Sequence, residues 1–169
     1  MERRALTFVK LGILFLFLDF HVGRVNLLPT FVGMLFLNAA IASHDVQTET
    51  EKRLKPLLLA LAADHFLHWI FSFENSLESL LSSVISVYVL FMFMGEVIKR
   101  IRENQRERAL QLNFARMGTV ILLTMNFLLA AYDNSMVNGV LVTFSLMMML
   151  FLMVTVCQIR PEGGDLFCS

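Results

Sequence analysis

Four stretches of this chain contain no aspartate, glutamate, lysine or arginine: 25–44, 79–95, 117–132 and 134–159. A helix needs roughly 17–25 mostly apolar residues to cross a bilayer. In hydrocarbon each backbone N–H and C=O must be satisfied within the protein, and a helix does this alone. A soluble bundle built from the same blocks would need a polar stripe on every helix to face water. The run "VLVTFSLMMMLFLMVTV" at 140–156 has none. The blocks predict an all-α integral membrane protein. Composition agrees, since 57% of the 169 residues are hydrophobic and the mean hydropathy is +0.67.

Six spans fit the pattern, at 5–21, 28–43, 54–73, 77–101, 109–132 and 135–158, in one transmembrane domain covering 1–169. The first has the basic start and apolar run of a secretory signal. It lacks a small-x-small cleavage site where "LDFHV" stands, so it is read as a span. Of the 14 lysines and arginines, only Arg24 falls on the side opposite the rest. Such a bias places both termini in the cytoplasm and the protein in the plasma membrane as a multi-pass chain. Lys10 lies just inside the first span, within snorkelling reach of the interface.

The connection "RENQRER" reads as a continuation of its two helices past the membrane, with Glu96–Arg100 and Glu103–Arg106 as helical neighbours. The basic segment 99–108 sets topology and attracts anionic lipid, or else docks a protein partner. "FENSL" at 73–77 and "YDNSM" at 132–136 match in type at five places. They reflect either a shared capping chemistry at tight turns or a repeat of hairpins 54–101 and 109–158.

The net charge is zero, which gives no whole-chain field for nucleic acid. Two cysteines are too few for a disulfide framework or a zinc site. No G-x-S-x-G elbow and no glycine-rich phosphate loop is present. No enzymatic centre and no cofactor are expected.

Two polar groups in this apolar chain invite a functional reading. The first is the turn after span 1, "DFHVGRVNLLP". Gly23 suits a left-handed turn, and Pro29 suits the first turn of the next helix. Asp19, His21 and Arg24 remain: a salt bridge between Arg24 and Asp19, or an anion site on Arg24. Glu74, Glu78 and Asp133 are further partners for Arg24 from neighbouring turns. The spacing Asp19-x3-Gly23-x4-Leu28-Pro29-x-Phe31-x-Gly33 resembles a pattern near the N-terminus of uncharacterised small multi-span membrane proteins of Gram-positive bacteria. That pattern commonly has an acid where Thr30 stands here. The resemblance covers about 20 residues; it implies the same topology and no activity.

The second group is in span 3, "LLLALAADHFLHWIFSF". Asp64 stands near its middle, and an ionisable group at that depth is costly unless it is paired or functional. His68 is one turn on, over the same face, while His65 is turned aside. Asn38 in span 2 and Asn126 in span 5 lie at similar depth. These residues read as an interhelical hydrogen-bond network or as a ligand site; a metal would want more ligands than the sequence places nearby.

The expected function is a small solute-binding or transport component, with tentative site residues Asp64, His68, Asn38, Asn126, Arg24 and Asp19. In size and span count the chain is similar to the substrate-capture subunits of energy-coupling vitamin transporters, a likeness of fold only. The second reading is an accessory membrane protein that binds a protein partner and no solute. A membrane enzyme comes third.

Overall fold

The computed structural model describes residues 2–17, 21–22, 25–26, 30–71, 76–129 and 135–161. Six helices form at the six predicted places: α1 (Arg3–Phe17), α2 (Thr30–Ala42), α3 (Glu49–Phe71), α4 (Ser76–Ile101), α5 (Arg106–Leu129) and α6 (Ser135–Cys157). Between α1 and α2 the chain makes a small antiparallel pair, β1 (His21–Val22) with β2 (Val25–Asn26). Its register puts His21 opposite Asn26 and Val22 opposite Val25. The sequence pattern foresaw a turn here and missed the strand pair.

Among the described residues three helices are long and apolar enough to cross a membrane: Glu49–Phe71, Leu81–Ile101 and Gly139–Cys157. The sequence had offered six. The shortfall has two sources. α1 and α2 have 15 and 13 residues, and at about 1.5 Å per residue neither covers a 30 Å core. α5 is not among the three because its side chains at 123 and 126–129 lie outside the described residues.

Each helix packs chiefly on its neighbours in sequence, and α6 closes back on α1. The termini of α1 and α6, the α2–α3 loop and the α4–α5 turn meet at one end, hereafter the basic end. Hydrogen bonds hold it together. Lys10 donates to the carbonyls of Cys157 and Ile159, at 2.9 and 3.1 Å. It thus binds orphan acceptors at the end of α6, where a cation also complements the helix dipole. Gln105 and Arg160 exchange two hydrogen bonds, and Arg108 reaches Gln158.

The buried core lies toward the same end. Val9 and Ile13 of α1, Leu37 and Ile41 of α2, Leu58 of α3, Met94 of α4, Leu112 of α5 and Leu152 of α6 belong to it. Lipid is as apolar as leucine, so close van der Waals fit replaces the hydrophobic effect as the force between such helices. α1 and α2 fit closely at Gly12 and Gly33, where a Cβ on Gly33 would lie 2.9 Å from the Gly12 carbonyl oxygen. Gly95 leaves room for the guanidinium of Arg116, which sits 4.1 Å over the Phe91 ring. Arg116 thus belongs inside the helix packing rather than to the basic connection.

Toward the other end, Phe66, Leu67, Trp69, Ile70 and Phe71 of α3 are exposed, as are Leu81 and Val84 of α4. Phe31 packs edge-on to Phe66 at 5.1 Å and against Trp69 at 5.9 Å.

Two helix ends depart from expectation. α3 starts at Glu49, not 54, because Thr48 and Glu51 form a capping box. Thr48 Oγ1 accepts from Glu51 N at 3.2 Å, and Glu51 Oε2 accepts from Thr48 N at 2.9 Å. Pro56 therefore stands inside α3, where it removes one helical hydrogen bond. α4 and α5 are separate, broken at 102–105, so Glu103 and Arg106 share no helix.

Candidate functional site: two polar clusters

Of the expected polar residues, Asp64 and His68 lie side by side, and Asp64 finds its partner on α4. Asp64 Oδ2 accepts a 2.6 Å hydrogen bond from Ser82 Oγ across the α3–α4 seam. His68 Nδ1 is 3.0 Å from the Asp64 carbonyl and 3.6 Å from Asp64 Oδ1. Ser86 Oγ stands 3.5 Å from His65 Nε2, at the limit of a hydrogen bond. α4 thus supplies serines where the sequence reading had looked to α2 and α5. Ser79, Ser82, Ser83 and Ser86 recur at helical spacing, a polar stripe that was legible but unused.

Two atoms of this region lack a partner among the described residues. His68 Nε2 and Asn38 Oδ1 are both buried. Asn38 makes no hydrogen bond to Asp64 or His68 there. The side chain of Asn126 lies outside the described residues, and so do Asp19, Arg24 and the acids proposed for Arg24: Glu74, Glu78 and Asp133. Asp64 is seven residues before Phe71, the last described residue of α3, roughly 10 Å along the axis.

The second cluster is at the basic end, and the sequence reading missed it. Glu51 is 1% exposed and accepts from three sides. Arg100 donates through Nε to Oε1 at 2.9 Å and through Nη2 to Oε2 at 2.6 Å. His44 Nδ1 is 2.9 Å from Oε1, and the Thr48 amide completes the set. A bidentate guanidinium–carboxylate pair with further donors meets the conditions for a satisfied buried ion pair. Arg100 also donates to Val46 O, pinning the α2–α3 loop to α4. Glu96, buried, accepts from Thr48 Oγ1 at 3.1 Å and pairs with Lys99 at 2.6 Å. The expected Glu96–Arg100 pair is not formed, because Arg100 turns to Glu51. T-x-x-E at 48–51 was the available signal for this cluster. The approach of Arg100, 49 residues away, had none.

Among the described residues no group of three or more His, Cys, Asp or Glu could hold a metal ion. No family model, curated protein or solved structure matches the chain. The site therefore rests on its own chemistry.

Burial pushes the His44 imidazole below its usual 6.5, and the Arg100 charge adds to this, against the pull of Glu51. The folded state thus binds fewer protons than the unfolded one between the lowered value and 6.5. Stability contributed by neutral His44 is complete above that range and is lost as pH falls through it. Chemical unfolding of wild type between about pH 7.5 and about pH 5 should show a loss that His44→Gln lacks. Equal pH slopes for the two proteins would refute the assignment.

Proposed function

We propose that this is a small multi-pass protein of the plasma membrane that binds a small solute at the α3–α4 polar seam. All six helices lie in the bilayer, the short α1 and α2 through local thinning or tilt, with the basic end in the cytoplasm. The half-exposed Trp69, packed with Phe31 and Phe66 at the far end, suits the opposite interface. The observation that carries the binding reading is an incompletely satisfied polar cluster in an apolar bundle. Asp64 holds Ser82, while the buried Nε2 of His68 beside it has no partner among the described residues. A ligand with a hydrogen-bonding group would satisfy it, and a buried polar atom left alone costs about 1–3 kcal/mol.

The test has two arms. Mass spectrometry of protein purified in mild detergent should detect a small molecule with wild type and not with Asp64→Asn. Both should elute as the same folded species. A cysteine at Gln105 should resist an impermeant thiol reagent in intact cells. Identical co-purifying molecules in both proteins, or none, would defeat the binding reading. Labelling at Gln105 would invert the topology.

A further inference from the structure

Arg116 is a cation without an anion. It stands half-buried on α5, with its guanidinium 4.1 Å over the Phe91 ring of α4. The ring attracts the charge but has no oxygen to accept from the N–H groups. Nε is buried without a hydrogen-bond partner, and among the described residues neither a carboxylate nor any other acceptor meets the guanidinium. Glu96, next to Gly95 in sequence, is buried and already holds Lys99 and Thr48.

Two helices agree on the depth of this cation. Gly95, which leaves room for the guanidinium, is the last residue of the charge-free block 79–95 of α4. Arg116 directly precedes the charge-free block 117–132 of α5. With the basic end in the cytoplasm, both mark the cytoplasmic edge of the hydrocarbon layer, where lipid phosphates begin.

From that edge an apolar track leads inward. Phe91 and Val87 follow Gly95 along α4 at four-residue spacing, and Val120 follows Arg116 on α5 in the same way. These residues are half-buried and line one cleft with Arg116. The enclosed space is about 10 Å³, room for one water at most, so a larger ligand lies along the open side of the cleft. One end of this surface is an unpaired cation at phosphate depth, and the rest is apolar.

We propose that this cleft binds one anionic phospholipid of the cytoplasmic leaflet, its phosphate on Arg116 and an acyl chain along Phe91, Val87 and Val120. A guanidinium meets two oxygens of one phosphate at once. A zwitterionic headgroup carries its own cation beside the phosphate, so an anionic lipid gains more from Arg116. The bound lipid fastens α4 to α5 at headgroup level. The site is separate from the α3–α4 seam, and it rests on the membrane placement proposed above, not on solute binding.

The probe is phosphatidylglycerol, titrated into the full-length protein in a neutral detergent and followed by native mass spectrometry. Wild type should take up one lipid saturably and prefer it to phosphatidylcholine by about fivefold. Arg116→Met should weaken binding by about tenfold, the loss expected for charge-assisted hydrogen bonds. Arg102→Met, on an exposed cation of the basic connection, should leave it unchanged, and so should Asp64→Asn. Wild type alone gives a second readout. Phosphatidylglycerol with a photoreactive acyl chain should label the segments holding Val87, Phe91 and Val120 ahead of the exposed face of α6. Equal affinity in wild type and Arg116→Met, or labelling spread evenly over the exposed helix faces, overturns the proposal. Displacement of the lipid by an equal concentration of inorganic phosphate does so too, because the site would then take free phosphate. The cysteine at Gln105 reads the membrane placement by itself, so a failure here with Gln105 protected strikes this site and leaves the topology standing.

Discussion

Glu51→Ala should destabilise the folded bundle by about 3 kcal/mol, the low end of the cost of breaking a buried ion pair. The low end applies because Arg100 keeps a quarter of its side-chain exposure and can recover some hydration. The loss has several parts. Arg100 loses both bonds to the carboxylate, the Thr48 amide loses its acceptor, and His44 loses its Nδ1 partner. Unfolding of detergent-solubilised protein by sodium dodecyl sulfate, followed by the fluorescence of the single tryptophan, Trp69, measures it. Arg100→Leu alone should cost a similar amount, since it leaves Glu51 buried beside neutral groups. The double substitution Glu51→Leu/Arg100→Leu should cost clearly less than the sum, because it removes both charges together. Additive losses would mean that the pair does not act as one unit. A Glu51→Ala effect below about 0.5 kcal/mol, the usual size of a neutral surface change, would show that the network carries no weight.

The same cluster shows where sequence reasoning stops. Helix number was legible, because each apolar block and each connection carries its own local signal. Helix ends were less so. Thr48-x-x-Glu51 is a local capping signature, yet the span read from hydropathy began at 54. The hydrogen bonds decided for the box, and the proline is carried inside the helix. Glu96 and Arg100 are four apart on one helix and read as partners. The fold offers Arg100 a fully buried carboxylate from α3 instead, a long-range contact with no trace in local spacing.

The mid-helix site divides in the same way. The depth and cost of Asp64 were legible from the apolar run around it, and so was His68 at one turn. The partner across the seam was not, since the choice among α2, α4 and α5 depends on packing order. α3 packs on α2 and α4, the chain neighbours. The serine stripe of α4 meets Asp64, and Asn38 of α2 does not. Length was the weaker inference of all. Apolar blocks and the connections between them gave six spans, while the helices that form include two of 13 and 15 residues.

Gly33→Ala should separate α1 from α2 and cost about 1–3 kcal/mol, the usual range for overpacking. The added methyl would lie 2.9 Å from the Gly12 carbonyl oxygen and 3.1 Å from the Leu16 amide nitrogen. Both are backbone atoms, so no rotamer change makes room, and one helix must move. A Cβ at Gly12 meets Leu37 Cδ2 first, at 2.5 Å, and the Gly33 oxygen at 3.1 Å. Leu37 is buried but can rotate, so Gly12→Ala should cost less. At Gly139 nothing among the described residues lies within 4 Å, and alanine there should be neutral or stabilise α6, since it is the better helix former. The order Gly33, Gly12, Gly139 is what close backbone approach requires, and the same detergent unfolding measures all three. Gly33→Ala no worse than Gly139→Ala would mean that α1 and α2 do not meet at this point. The two last residues of the N-terminal pattern would then need another explanation. In the structure Phe31 docks α2 on the α3 aromatics, and Gly33 lets α1 reach α2 from the other side. Two packing contacts, three residues of sequence, account for why a phenylalanine and a glycine stand at that spacing without assigning either a role in chemistry.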